Sequence, residues 1–134
     1  MANRDEHTAV GAFVGFLYAA YLCKEKLDNG KILRDQDILR IIFLSFTGSI
    51  VGSILPDILE PARHPNHRQS FHSVLAASLI GVFLKNNKSI VQRIFSNLSP
   101  VEQEAVYTGL VALGLGYLSH LFLDAQTPKG LKWV

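Results

Sequence analysis

The stretch AVYTGLVALGLGYLSHLFLD, residues 105–124, carries no charged side chain before its final aspartate. An apolar run of this length reads as a helix covered on most sides, by protein or by lipid. Ser99, Pro100 and Glu102 stand just before it as a capping box with proline at the first helical position, which marks the helix start. Gly109, Gly114 and Gly116 would be costly inside a helix unless they let another backbone come close. His120 and Asp124 finish the run with i, i+4 spacing, so both side chains lie on one helical face.

Three further apolar segments precede it. TAVGAFVGFLYAAYLC, residues 8–23, is followed by cations in KEKLDNG and by Gly30 as a stop. In the second, Asp35 is the expected N-cap, and IIFLSFTGSIVGSIL, residues 41–55, runs to Pro56, which is expected to end the helix. The two prolines, two arginines and two histidines of residues 60–70 predict a loop, and Ser70 predicts the cap of a third helix through FHSVLAASLIGVFL, residues 71–84. In KNNKSIVQRIFSNLS, residues 85–99, Ile90, Val91, Ile94 and Phe95 share one face, predicting a short amphipathic helix along a surface before the last long one. The expectation is therefore an all-α fold, with four apolar helices in an up-down bundle plus that short helix.

With 134 residues the chain has room for one core, so residues 1–134 are read as a single domain. It is 49% hydrophobic and 18% charged with a mean hydropathy of +0.22, below the roughly 25% charge of a soluble domain. Four nearly charge-free helices leave a small soluble bundle too few outward polar positions, which favours a bilayer as the partner. The uncharged stretches are shorter than the about 20 residues a span needs, so their ends must be partly polar or the bilayer thinned. A formal charge of +2 from scattered basic residues argues against direct nucleic acid binding. The lone Cys23 excludes a thiolate zinc site, and the acidic start MANRDEHT argues against a signal peptide. A homo-oligomer is compatible with all of this.

Helix direction alone gathers the remaining ionisable groups. An up-down bundle puts the starts of helices one and three at the same end as the finishes of two and four. His7, Asp57, Glu60, His67, His72, His120 and Asp124 are then expected together. Burying imidazoles and carboxylates beside apolar helices is unfavourable unless a cation compensates, so a metal is the first candidate. The plainer readings are a frayed N-terminus for His7, an exposed loop for His64, and a snorkelling or Glu60-paired Arg68.

These same residues resemble the bacterial inner-membrane-associated metal-dependent hydrolases, the YdjM-like, LexA-binding family. That family combines an N-terminal histidine, an LPD segment, an HR-x-x-x-HS segment and a terminal GYLSH-x-x-x-D-x-x-TP-x-G segment. Here they are His7, Leu55-Pro56-Asp57, His67 through Ser73, and Gly116 through Gly130. Where many members carry a second acid two positions after the LPD aspartate, this chain has Leu59 followed by Glu60, and Gln69 and Phe71 replace the usual glycine and threonine. The resemblance implies a multi-pass protein of the inner membrane and metal-dependent hydrolysis.

The leading expectation is an enzyme acting on a phosphoester, phospholipid-like or otherwise amphiphilic, at the membrane interface. His7, Asp57, His72, His120 and Asp124 are the expected metal ligands for one or two divalent ions, zinc first and manganese second, with His67 or Glu60 completing the shell. Arg68 is expected to stabilise added negative charge, and Glu60 or Asp57 to take the proton of the attacking water. The alternative is a non-catalytic membrane protein whose metal staples the helices while another surface recruits a partner. A transporter ranks last, because the polar residues are expected at one end and not at mid-depth. Basic residues weigh slightly toward the opposite end, which positive-inside reasoning places in the cytoplasm.

Overall fold

The structure is a computed structural model and describes residues 3–61, 71–127 and 131. Four helices follow one another, α1 Arg4–Asp28, α2 Asp35–Leu59, α3 Val74–Ile94 and α4 Pro100–Ala125. Each is longer than its uncharged stretch, because the polar flanks stay helical. At 1.5 Å per residue they reach about 32 to 39 Å, sufficient for a hydrocarbon core of about 30 Å. By length and composition α2, α3 and α4 can each cross a membrane.

The starts and stops follow local chemistry. Ser99 accepts from the Glu102 amide, and Glu102 reaches back to the Ser99 amide, as a capping box requires. Gly30 takes φ +72° after α1, a conformation most residues avoid. Four boundaries differ from expectation. Arg34, not Asp35, is the N-cap of α2, and Asp35 lies inside the first turn. Pro56 does not end α2: the helix carries it within its last turn, where the ring is buried, and continues to Leu59. Proline there forfeits one bond to the Gly52 carbonyl, and the remaining turn still closes through the Glu60 amide onto the Pro56 carbonyl. Ser73 caps α3 by accepting from the Ala76 amide; Ser70 lies outside the described residues. The amphipathic segment is not a separate helix, since α3 runs unbroken through it to Ile94. No proline or glycine interrupts Lys85–Ile94, so nothing in the chain stops the helix.

The helices alternate in direction as an up-down chain should, yet they do not form a closed square. α2 and α4, which run parallel, make the most intimate contact; α1 lies across both, and α3 packs on α4 alone among the described residues. Small residues explain the closeness. A Cβ on Gly52 would strike the Leu113 carbonyl, and one on Gly116 would strike the Ser49 carbonyl. On the adjoining face of α2, Ser45, Ser49 and Ser53 are fully buried against α1, where Gly11 and Gly15 leave room and the Ser49 hydroxyl donates to the Gly11 carbonyl. This is the small-residue packing by which helices associate where lipid supplies no hydrophobic drive.

The apolar core, Tyr18, Ala19, Leu22, Ile41, Val111 and Ala112, occupies one half of the molecule. Outward faces are equally apolar: Phe13, Phe16 and Leu17 on α1, Phe43 and Phe46 on α2, Leu75, Leu79 and Val82 on α3, all exposed. Water would oppose such a surface, and lipid would not. The Lys26 ammonium pairs with Glu104 at the core end. The other end holds the histidines.

Candidate metal centre

Each helix delivers its polar residue to that end. His7 lies in the first turn of α1, Asp57 in the last turn of α2, His72 two residues before α3, and His120 and Asp124 in the last turns of α4. His7, His72, His120 and Asp124 are buried to within 1% of completely. The Asp57 side chain keeps 30% of its surface, and that makes it the accessible edge of the cluster.

The hydrogen bonds of the two central imidazoles fix how they face. His120 Nδ1 stands 2.6 Å from the Ser53 carbonyl oxygen, which can only accept, so Nδ1 carries the proton. His72 Nδ1 stands 3.3 Å from Glu60 Oε2, and the same argument puts its proton there. Each ring then turns an Nε2 lone pair inward, and these two nitrogens are 3.1 Å apart. Two lone pairs at that distance in a buried site repel unless a proton or a cation lies between them.

Two carboxylates close around the same point. Asp57 Oδ1 is 3.3 Å from His72 Nε2 and 3.6 Å from His120 Nε2. Asp124 Oδ2 is 3.7 Å and 3.4 Å from the same two atoms. Donors held about 2.0–2.2 Å from a tetrahedral zinc ion stand about 3.3–3.6 Å apart, and the donors here fall into two compact triads that share His120, namely Asp57, His72 and His120, and His7, His120 and Asp124, each able to hold a divalent ion. The nitrogen and oxygen mixture suits zinc or manganese. His7 adds a third imidazole: its ring stacks on His120 at 3.7 Å between centroids, and its Nε2 lies 3.6 Å from Asp124 Oδ1, the oxygen turned away from the other two rings. His7 Nδ1 is buried without a hydrogen-bond partner among the described residues.

Without an ion, His72 carries the conflict as a displaced proton affinity. Burial opposes its charged form, yet hydrogen bonds to Asp57 and Glu60 and the nearby Asp124 carboxylate outweigh it and hold the imidazole above its ordinary value of 6.5.

All five expected ligands, His7, Asp57, His72, His120 and Asp124, are thus in one cluster, with Glu60 touching it through His72. His64, His67 and Arg68 lie outside the described residues. Sequence reasoning missed Ser53, whose contribution is a backbone carbonyl, and Tyr117, whose hydroxyl donates to the Phe71 carbonyl at 2.7 Å. Only Tyr117 left a signal, as a buried polar aromatic one turn before His120. The cavities lined by Lys26, Lys31 and Glu104 open at the opposite end and touch none of the imidazoles.

The family model described as YdjM inner membrane protein matches residues 1–134. No curated protein and no solved structure matches the chain.

Proposed function

Because this chain belongs to the YdjM inner membrane protein family, we propose that it is a multi-pass membrane hydrolase whose His72, His120, Asp57 and Asp124 hold a divalent ion at one membrane face. The observation that carries the reading is the pair of inward Nε2 atoms 3.1 Å apart, with both Nδ1 atoms already committed to oxygens. A divalent ion held there would acidify bound water to a pKa of about 7 and polarise an ester oxygen.

The chain's own residues set what reaches that chemistry. Asp57 is the donor at the accessible edge, so substrate approaches past the end of α2. Exposed Ile58, Leu59 and Phe71 flank this approach and suit an amphiphile that keeps its tail in lipid while presenting a phosphoester. Glu60, outside the donor quartet and bonded to His72, is the carboxylate assigned the proton of the attacking water. Arg68 is assigned the added negative charge, on sequence grounds.

One observation favours a second reading. Both carboxylates lie within 3.7 Å of the paired imidazole nitrogens, so protein alone offers up to four donors, the number that holds structural zinc. In that case the ion staples the helices and the protein recruits a partner. Metal analysis of purified wild type beside His72→Ala and Asp124→Ala, with phosphodiester and phospholipid hydrolysis on the same samples, separates these outcomes. The hydrolase reading expects an ion and turnover in wild type and neither in the variants. An ion retained in wild type with no turnover of any ester supports the structural reading, and full retention in both variants removes the site itself.

A further inference from the structure

His72 differs from the other donors in lying on no helix, so something else must hold it. The residue before it is held through both of its backbone polar groups. The Phe71 amide donates to Glu60 Oε2 at 3.0 Å, and the Phe71 carbonyl accepts from the Tyr117 hydroxyl at 2.7 Å. The same Glu60 oxygen stands 3.3 Å from His72 Nδ1. Tyr117 is itself 4% exposed, and its backbone is pressed against α2: a Cβ on Gly52 would meet the Tyr117 amide nitrogen at 3.0 Å. A continuous path therefore runs from the tight α2–α4 crossing, through the Tyr117 ring and the Phe71 peptide, to the His72 imidazole.

We infer that Tyr117 and Glu60 form a clamp on the Phe71 peptide that sets where His72 Nε2 stands, making Tyr117 a positioning residue of the metal centre. This rests on the metal reading above. Tyr117 touches no donor directly; it acts by fixing the backbone from which His72 projects. Glu60 does two things at once, holding the Phe71 amide and selecting the His72 tautomer that turns Nε2 inward. Outer partners of this kind typically change metal affinity about 10- to 100-fold when removed.

The test uses the full chain in detergent, titrated with Co²⁺, whose visible absorption reports coordination geometry. Tyr117→Phe removes one oxygen and keeps the ring. Tyr18→Phe is the matched control, since the Tyr18 hydroxyl is buried in the apolar core without a partner among the described residues. The expected result is about tenfold weaker Co²⁺ affinity with a shifted absorption band for Tyr117→Phe, wild-type values for Tyr18→Phe, and unchanged helical circular dichroism in both. Wild-type affinity and spectrum in Tyr117→Phe overturn the clamp while leaving the metal centre in place. No Co²⁺ binding by wild type overturns the metal reading instead. Should Tyr117→Phe lose its helical signal, Glu60→Gln decides: it keeps an oxygen for the Phe71 amide but replaces the carboxylate facing His72. Weaker binding there supports the clamp, and unchanged binding overturns it.

Discussion

His72 Nε2 and His120 Nε2 face each other across 3.1 Å, each held there by an oxygen on the far side of its own ring. The Ser53 carbonyl holds one and the Glu60 carboxylate the other. The arrangement is stable only with a positive charge between the rings, and the expected behaviour of the protein follows from what supplies it.

Removal of either imidazole should abolish binding. His120→Ala is expected to weaken Zn²⁺ affinity by more than about a hundredfold, beyond the range for an outer partner. Isothermal titration of the detergent-solubilised protein measures it, and a loss under threefold would remove His120 from the centre.

Proton and metal should compete, with opposite signs in the two forms. In the metal-free protein His72 binds its proton more tightly folded than unfolded, since its value is raised above 6.5. That contribution to stability is complete below about pH 6.5 and is lost as pH rises through the folded value. Metal needs the neutral ring, so affinity falls as pH drops through the same window. Melting curves at pH 6 and pH 8 should show the metal-free form losing His72's contribution at the higher pH and the Zn²⁺-loaded form gaining stability there. The same trend in both forms would count against this coupling.

The helix crossings should tolerate methyl groups very unevenly. Gly52→Ala places a carbon against the Leu113 backbone, where no side chain can swing aside, and should cost about 1–3 kcal/mol. Gly81→Ala meets nothing within 4 Å and should stabilise α3 by about 0.5–1 kcal/mol. Thermal melting of the pair in one detergent reads the contrast directly.

The two ends of the helices should lie on opposite sides of the membrane. In a Cys23→Ser background, Asn29→Cys and Asn97→Cys are expected to react with an impermeant maleimide from one side, and Thr127→Cys only from the other. Labelling of all three from one side would contradict a spanning bundle.

The sequence revealed helix number and direction because Ser99, Gly30 and the uncharged runs are local signals, and direction was enough to bring His7, Asp57, His72, His120 and Asp124 together. It misleads at Pro56, where a single missing donor signals a stop although the turn closes around it. It also divided α3 at Lys85, because a change from apolar to amphipathic pattern marks a change of surroundings and not a break in the backbone. The tautomers stayed hidden for a different reason. His120 is set by the Ser53 carbonyl, and every residue has a carbonyl, so no side-chain pattern records which one will be used.

The contact of α3 with α4 alone has a consequence for how the molecule comes apart. α1, α2 and α4 are interlocked backbone to backbone by glycine and serine, while α3 buries only Asn87 and Val91 and has His72 tethered just ahead of its first turn. Coordination would then do for the third helix what close packing does for the other three. Stripped of its ion, the protein would keep a three-helix trunk and hold its third helix more loosely, hinged at residues 95–99 and restrained at the histidine end by the Phe71 contacts with Glu60 and Tyr117.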